Sequence, residues 1–362
     1  MIYAYTYFHH PMQRFHEGLM DFFERMFQLE LPKYDENQLL KEDFRPLIRK
    51  SPKLLQKRME ELVPAFADLS ESEKDNVRLV FESNQNIAAI CSTEVDPLKY
   101  ADIENNAFRK QLKEFFAPLW DRFSSGKNLN QEARKHCKPI HDHYKEFRYH
   151  ARHQSRVCPF CGLMGLKAPG PNRRAPYDHF LPKSNYPFVG INFQNLAPIC
   201  TDCNSVEKKA LDTAFVLGKR TKVLSPYEEE LSANHLSVQI QPKERYRQTA
   251  SSATTLLKGS DWEWAFWSNL QEDERLEAWV ALFKVRERFK EELEYHEKQW
   301  FDDVKTRYRN WTGDFDSFCS STIGELEAVV LRTERAVVKL AYTRYLLQQE
   351  GIAEDLALLV KK

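Results

Sequence analysis

Two Cys-x-x-Cys pairs, Cys158/Cys161 and Cys200/Cys203, with 38 residues between them, constrain this chain more than any other feature. Each pair puts two thiols about one turn apart, and Gly162 directly after Cys161 permits a tight backbone. One such pair alone is also a redox motif. Two in so short a window match a tetrahedral four-thiolate site, the closed arrangement of structural zinc. The expected ligands are Cys158, Cys161, Cys200 and Cys203, with every position filled by protein and none left for catalysis. Cys91, Cys137 and Cys319 stand apart. The N-terminus, MIYAYTYFHH, has no basic segment followed by an apolar run, so the cytoplasm is the expected compartment and a disulfide framework is not expected.

The 362 residues allow two or three domains. Apolar residues at 42% and charged residues at 29% exclude global disorder. No stretch approaches ~18 uncharged apolar residues, so no membrane span and no membrane partner are expected. The net charge of zero hides a division. Residues 131–220 hold 15 Lys and Arg against 7 Asp and Glu, and the remainder holds 38 against 46. A basic island of this kind suits a phosphate-bearing partner.

Along the chain, residues 1–125 read as an N-terminal helical region. Ile2 to Phe8 alternates like a short strand. Ser70 with Glu73 has the form of a capping box and opens a helix toward Ala89. Pro118 kinks or splits a helical stripe from Phe108 to Phe123. Residues 126–157 form a basic connector rich in histidine (His136, His141, His143, His150, His153), read as a helix with one basic side. Residues 158–212 form the cysteine-bearing module, and 213–260 an extended linker region with a strand near Leu236–Ile240. Residues 261–362 form a C-terminal helical region. There Leu282, Val285, Phe289, Leu293, Trp300 and Val304 share one face, and a second long helix is expected from Gly324 to Glu350. The expected fold class is mainly α with a small α+β module.

Between and after the cysteine pairs stand Asp178-His179, then Asn195, then Asn204 immediately after Cys203. In this order they resemble the HNH endonucleases of the ββα-metal class, in the four-cysteine zinc-binding subtype. The likeness covers about 55 residues and has the H-N-N form. It implies a ββα-metal core with zinc knuckles, flanked by N- and C-terminal helical regions. It also implies His179 as general base, Asp178 and Asn204 as ligands of a catalytic magnesium or manganese, and Asn195 orienting His179 or stabilising the loop. Cleavage would leave 5′-phosphate and 3′-hydroxyl ends. The chemistry is consistent with those residue types: a hard cation takes oxygen ligands, and histidine titrates near neutrality. On a regular strand Asp178 and His179 point to opposite faces, so a kink or bulge is expected to bring them together. Taken singly, each residue has another use; Asn204, for example, is also a good helix cap.

Arg173 and Arg174 in a Gly/Pro-rich loop, Lys183 after the Asp-His pair, and Lys208 and Lys209 near a helix start are the candidate nucleic-acid contacts, with Lys208 and Lys209 facing solvent in the absence of a ligand. The expected function is metal-dependent hydrolysis of nucleic acid, with DNA as substrate. The likeness extends to stand-alone bacterial restriction and anti-phage nucleases, which implies a protein partner such as an ATPase. The competing readings are a non-catalytic zinc-ribbon nucleic-acid-binding module and an interaction protein built on the helical flanks.

Overall fold

The structure is a computed structural model that describes residues 1–7, 9, 11, 13–29, 33–125, 140–150, 155–170, 173–227, 237–242, 262–267 and 273–360. It is mainly helical, with three small two-stranded antiparallel sheets among the described residues. The chain divides into two compact units. One comprises Tyr5–His153 and Lys167–Glu228, the other Met1–Ala4, Gln154–Leu166 and Glu229–Lys362. No helix among the described residues is long and apolar enough to cross a membrane.

The first of these units is built on phenylalanine. The helices Gln13–Gln28, Lys57–Ala67, Glu71–Ser83 and Asn106–Phe116 bring together Phe23, Phe27, Phe66, Phe81, Phe115 and Phe116. The capping box forms as expected. Ser70 Oγ accepts from the Glu73 N–H, and the Glu73 carboxylate accepts from the Ser70 N–H at 2.9 Å. That helix stops at Ser83, and a short helix Ile87–Cys91 begins under an Asn86 cap. Pro118 does split its stripe, into Asn106–Phe116 and Leu119–Ser125, because it lacks the N–H and its ring crowds the preceding turn.

Into this aromatic cluster the same unit inserts Phe188, whose ring meets Phe23 at 5.0 Å, Phe81 at 5.0 Å and Phe116 at 5.3 Å. Phe188 has φ +67, in the left-handed region that bulky side chains avoid. Burial of the ring against three others holds it there. The loop between strands β1 (Tyr177–His179) and β2 (Leu196–Pro198) is thereby anchored on the helical core. A second hairpin, β3 (Phe215–Val216) with β4 (Lys219–Arg220), is fixed by Arg220, which donates to Asp96 and to the carbonyls of Ile90 and Val95.

His16 lies in the same unit, 6% exposed, with Nδ1 lacking a hydrogen-bond partner. Burial lowers its pKa from 6.5 to about 4. A depressed histidine pKa means that the unfolded chain binds the extra proton between those values. Its contribution is therefore full above pH 6.5 and is lost as pH falls toward 4, amounting to about 3 kcal/mol. Urea unfolding of wild type and His16→Leu at pH 7 and pH 4.5 measures this. The variant is expected to lose less stability on acidification, and equal losses would exclude the effect.

The other unit pairs β5 (Ser237–Pro242) with β6 (Trp262–Trp267) and carries the helices Asp273–Phe283, Val285–Arg309, Phe315–Val329, Ala336–Leu347 and Ile352–Val360. Val285, Phe289, Leu293, Trp300 and Val304 are buried on one helix, as their spacing predicts, but Leu282, expected on the same face, belongs to the preceding helix, which Lys284 at φ +48 separates from it. The single helix expected over 324–350 is instead two, broken at 330–335 where Arg335 takes φ +63. Its N–H donates to the Leu163 carbonyl and its Nε to Glu292. The strand expected at 2–8 does not form within the described residues. Ile2 makes a single backbone bond to Pro159 and the Tyr3 hydroxyl donates to the Val157 carbonyl, so the segment is held by individual bonds and no ladder.

Candidate functional site

The first cysteine pair is a tight turn, and the second opens a helical turn in which the Asn204 N–H donates to the Cys200 carbonyl at 3.1 Å. Gly162, at φ +69, donates to the Cys158 carbonyl at 2.8 Å, and Cys158 N–H donates to the Met164 carbonyl at 2.8 Å. A side chain at Gly162 would meet Val337 at 3.0 Å and Ile2 at 3.1 Å, so glycine is needed for both conformation and space. In each pair one sulfur accepts a backbone N–H at 3.4 Å, Leu163 to Cys161 and Cys203 to Cys200. All four cysteines are buried, and their sulfurs lie within 4.8 Å of one another. Four thiolates at Zn–S distances of about 2.3 Å stand about 3.8 Å apart on a tetrahedron. The donor set and spacing can therefore hold a metal ion such as zinc.

The Asp-His pair lies on β1, in regular antiparallel register with β2: Asp178 opposite Ala197 and His179 opposite Leu196. The expected bulge is absent from this pairing. Asp178 is 2% exposed. Its Oδ1 accepts from Lys208 Nζ at 3.0 Å, while its buried Oδ2 has no hydrogen-bond partner. Burial pushes the Asp178 carboxyl pKa up, against the opposing pull of the Lys208 ammonium.

His179 is half-buried, its ring edge-on to Trp120 at 5.0 Å. Its Nε2 lies 2.9 Å from the Gly190 carbonyl oxygen. A carbonyl only accepts, so Nε2 carries the proton and Nδ1 keeps its lone pair. Packing around the ring, with Lys183 nearby, holds its pKa well below the ordinary imidazole value, so it is neutral at physiological pH.

Asn195 is fully buried and does not bond the histidine. Its Oδ1 accepts from the Leu181 N–H at 2.7 Å, and its Nδ2 donates to the carbonyls of Leu181 at 3.0 Å and Val189 at 3.3 Å. Of its two expected roles, loop stabilisation is the one these bonds perform. By tying Val189 it places the adjacent Gly190 carbonyl under the imidazole. Asn204 is half-buried on the short helix after the second cysteine pair, its Nδ2 donating to Ser205 Oγ at 3.3 Å.

The basic candidates separate. Arg173 and Lys209 are exposed. Arg174 is half-buried, lies over the Tyr177 ring at 5.6 Å and donates to the Ala175 carbonyl. Lys183 forms a long ion pair with Asp121 at 3.6 Å. Lys208, a candidate nucleic-acid contact expected to face solvent, does not face it: its side chain is 0% exposed and bonds Asp178 and the His179 carbonyl. The described part of the basic connector is a helix, Ile140–Tyr149, and His143 is buried with Nδ1 2.6 Å from the Tyr177 hydroxyl. His136 and His153 lie outside the described residues. The Gly190 carbonyl and the Lys208 clamp carry no local sequence signal, since each acts on residues distant in the chain.

No protein-family model matches the chain, and no solved structure matches it. Over 70 residues it is 36% identical to protein ea31 of Escherichia phage lambda, a match covering 19% of this chain and 20% of that protein. The chain thus spans about a fifth of the length of this curated relative.

Proposed function

We propose that this chain is a metal-dependent endonuclease of the HNH type that hydrolyses phosphodiester bonds, with DNA as its substrate. The observation that carries the reading is the neutral His179 imidazole, whose Nδ1 keeps its lone pair; the neighbouring Asp178, which the regular strand turns to the other face, adds a buried carboxylate with an unpartnered oxygen. The short β1–β2 hairpin, followed by a helical turn from the second cysteine pair, supports it. The cysteine cluster is read as structural zinc, closed by four protein ligands.

In this mechanism His179 Nδ1 takes a proton from water while the Gly190 carbonyl holds the ring through Nε2. The water oxygen forms a bond to phosphorus and the bond to the 3′ oxygen breaks, leaving a 5′-phosphate and a 3′-hydroxyl protonated by solvent. Asp178 and Asn204 would hold magnesium or manganese, which supplies charge neutralisation on the phosphate and the leaving oxygen. The unpartnered Asp178 Oδ2 suits that ligation. Lys183, close enough to lower the His179 pKa, and the exposed Arg173 and Lys209 provide backbone-phosphate contacts. The proposed setting is bacterial restriction or anti-phage defence beside a protein partner such as an ATPase, resting on the family likeness alone.

The test is a supercoiled plasmid incubated with the full chain in magnesium, manganese or EDTA. Nicked or linear product is expected with either cation and none with EDTA. Metal-independent retention of DNA without cleavage would favour the zinc-ribbon binding module.

A further inference from the structure

Lys208 is the least expected group in the molecule, a lysine with no exposed side-chain surface. Lysine is almost never fully buried unless paired. Its pairing is double: Nζ donates to Asp178 Oδ1 at 3.0 Å and to the His179 carbonyl at 2.9 Å. The backbone explains how it gets there. Residues Cys203–Lys208 form a π-helical turn, closed by the Lys209 N–H donating to the Asn204 carbonyl at 3.2 Å. In an α-helix, residues four apart share a face, which would align Lys208 with Asn204. In this π turn Lys208 instead lies on the buried side with Cys203, which is also 0% exposed, and Asn204 is half-exposed. Lys209 then ends the turn at φ +49.

We infer that Lys208 is a positioning residue for the cation site: from the turn that begins at the second cysteine pair, it holds the Asp178 carboxylate and the His179 backbone in place and leaves the buried Oδ2 as the one carboxylate oxygen without a hydrogen-bond partner, the oxygen a divalent cation would take. The inference rests on the nuclease reading and deepens it. With Oδ1 committed to Lys208, Asp178 offers a single oxygen in a fixed direction. The same ammonium fixes the strand on which His179 stands. Partners that orient a ligand in this way typically set metal affinity by about 10–100-fold.

The experiment measures manganese binding to the full zinc-loaded chain by electron paramagnetic resonance of the free ion, with zinc content and melting temperature recorded for each variant. Lys208→Met removes both hydrogen bonds. Lys208→Gln removes the charge and keeps an amide donor, one bond shorter than the lysine side chain. A pure charge effect tightens manganese binding in both variants, because a cation has left the side of Asp178. Positioning predicts the opposite for Lys208→Met, a loss of about tenfold or more, with Lys208→Gln no tighter than wild type. Unchanged or tighter binding by Lys208→Met, at full zinc content, overturns the inference. Should Lys208→Met fail to fold, Lys208→Gln decides: binding tighter than wild type is the charge effect alone and overturns the inference, and wild-type or weaker binding supports it. Asn204→Ala separates the two levels. If it binds manganese as wild type does, the cation site itself is misassigned, and the nuclease reading falls together with the role of Lys208.

Discussion

His179→Ala is expected to lower the plasmid-cleavage rate by about 10²–10⁴-fold, the usual contribution of a positioned general base. The size follows from geometry. The Gly190 carbonyl fixes the proton on Nε2, so Nδ1 is the nitrogen that can accept. Two other buried imidazoles are engaged elsewhere: His143 lies against the Tyr177 hydroxyl, and His16 sits in the helical core. The half-buried ring meets Trp120 edge-on, and losing that contact should cost little stability, so a melting curve close to wild type is the control. Cleavage at the wild-type rate by a folded His179→Ala chain would remove His179 from the mechanism. A second result would locate the defect further. Loss in the rate constant with an unchanged half-saturating DNA concentration marks a group that acts in the transition state.

Removing the metal from the four cysteines is expected to have the larger effect on stability. Four buried sulfurs within 4.8 Å of one another are tolerable as thiolates only around a cation. Structural zinc contributes about 10–16 kcal/mol in small zinc-finger peptides, and even a fraction of that rivals the whole stability of a typical domain. The purified chain should carry one zinc by elemental analysis. Cys203→Ser, or chelation, should lower the melting temperature sharply. Because the turn that starts at Cys203 ends in Lys208, metal loss should also loosen the clamp on Asp178. A chain that melts unchanged without zinc would show the cluster to be dispensable for the fold.

Much of this was legible in the residues, and the legible parts share a cause. The capping box at Ser70 and Glu73, the break at Pro118, the buried stripe from Val285 to Val304 and the turn at Gly162 all arise from bonds or clashes within a few residues. Short-range sterics and hydrogen bonding act alike wherever the segment lies. The two cysteine pairs belong with them, since their spacing alone selects thiolate turns and implies a metal.

The features decided by tertiary structure depend on distant partners. Tyr3 alternates like a strand residue, but its hydroxyl is taken by the Val157 carbonyl, and the segment bonds other chain segments one group at a time. Phe188 adopts a strained backbone because three phenylalanines far away in sequence reward burial of its ring. His179 owes its tautomer to the carbonyl of Gly190, which Asn195 holds by bonding the loop on both sides. Lys208 reads as a surface cation until the fold brings its ammonium against a carboxylate 30 positions earlier. Sequence by itself determined which residues could do chemistry and where the chain must turn. Only the fold decided which atoms of those residues face one another, because burying a charge is favourable only when its partner has been brought into place.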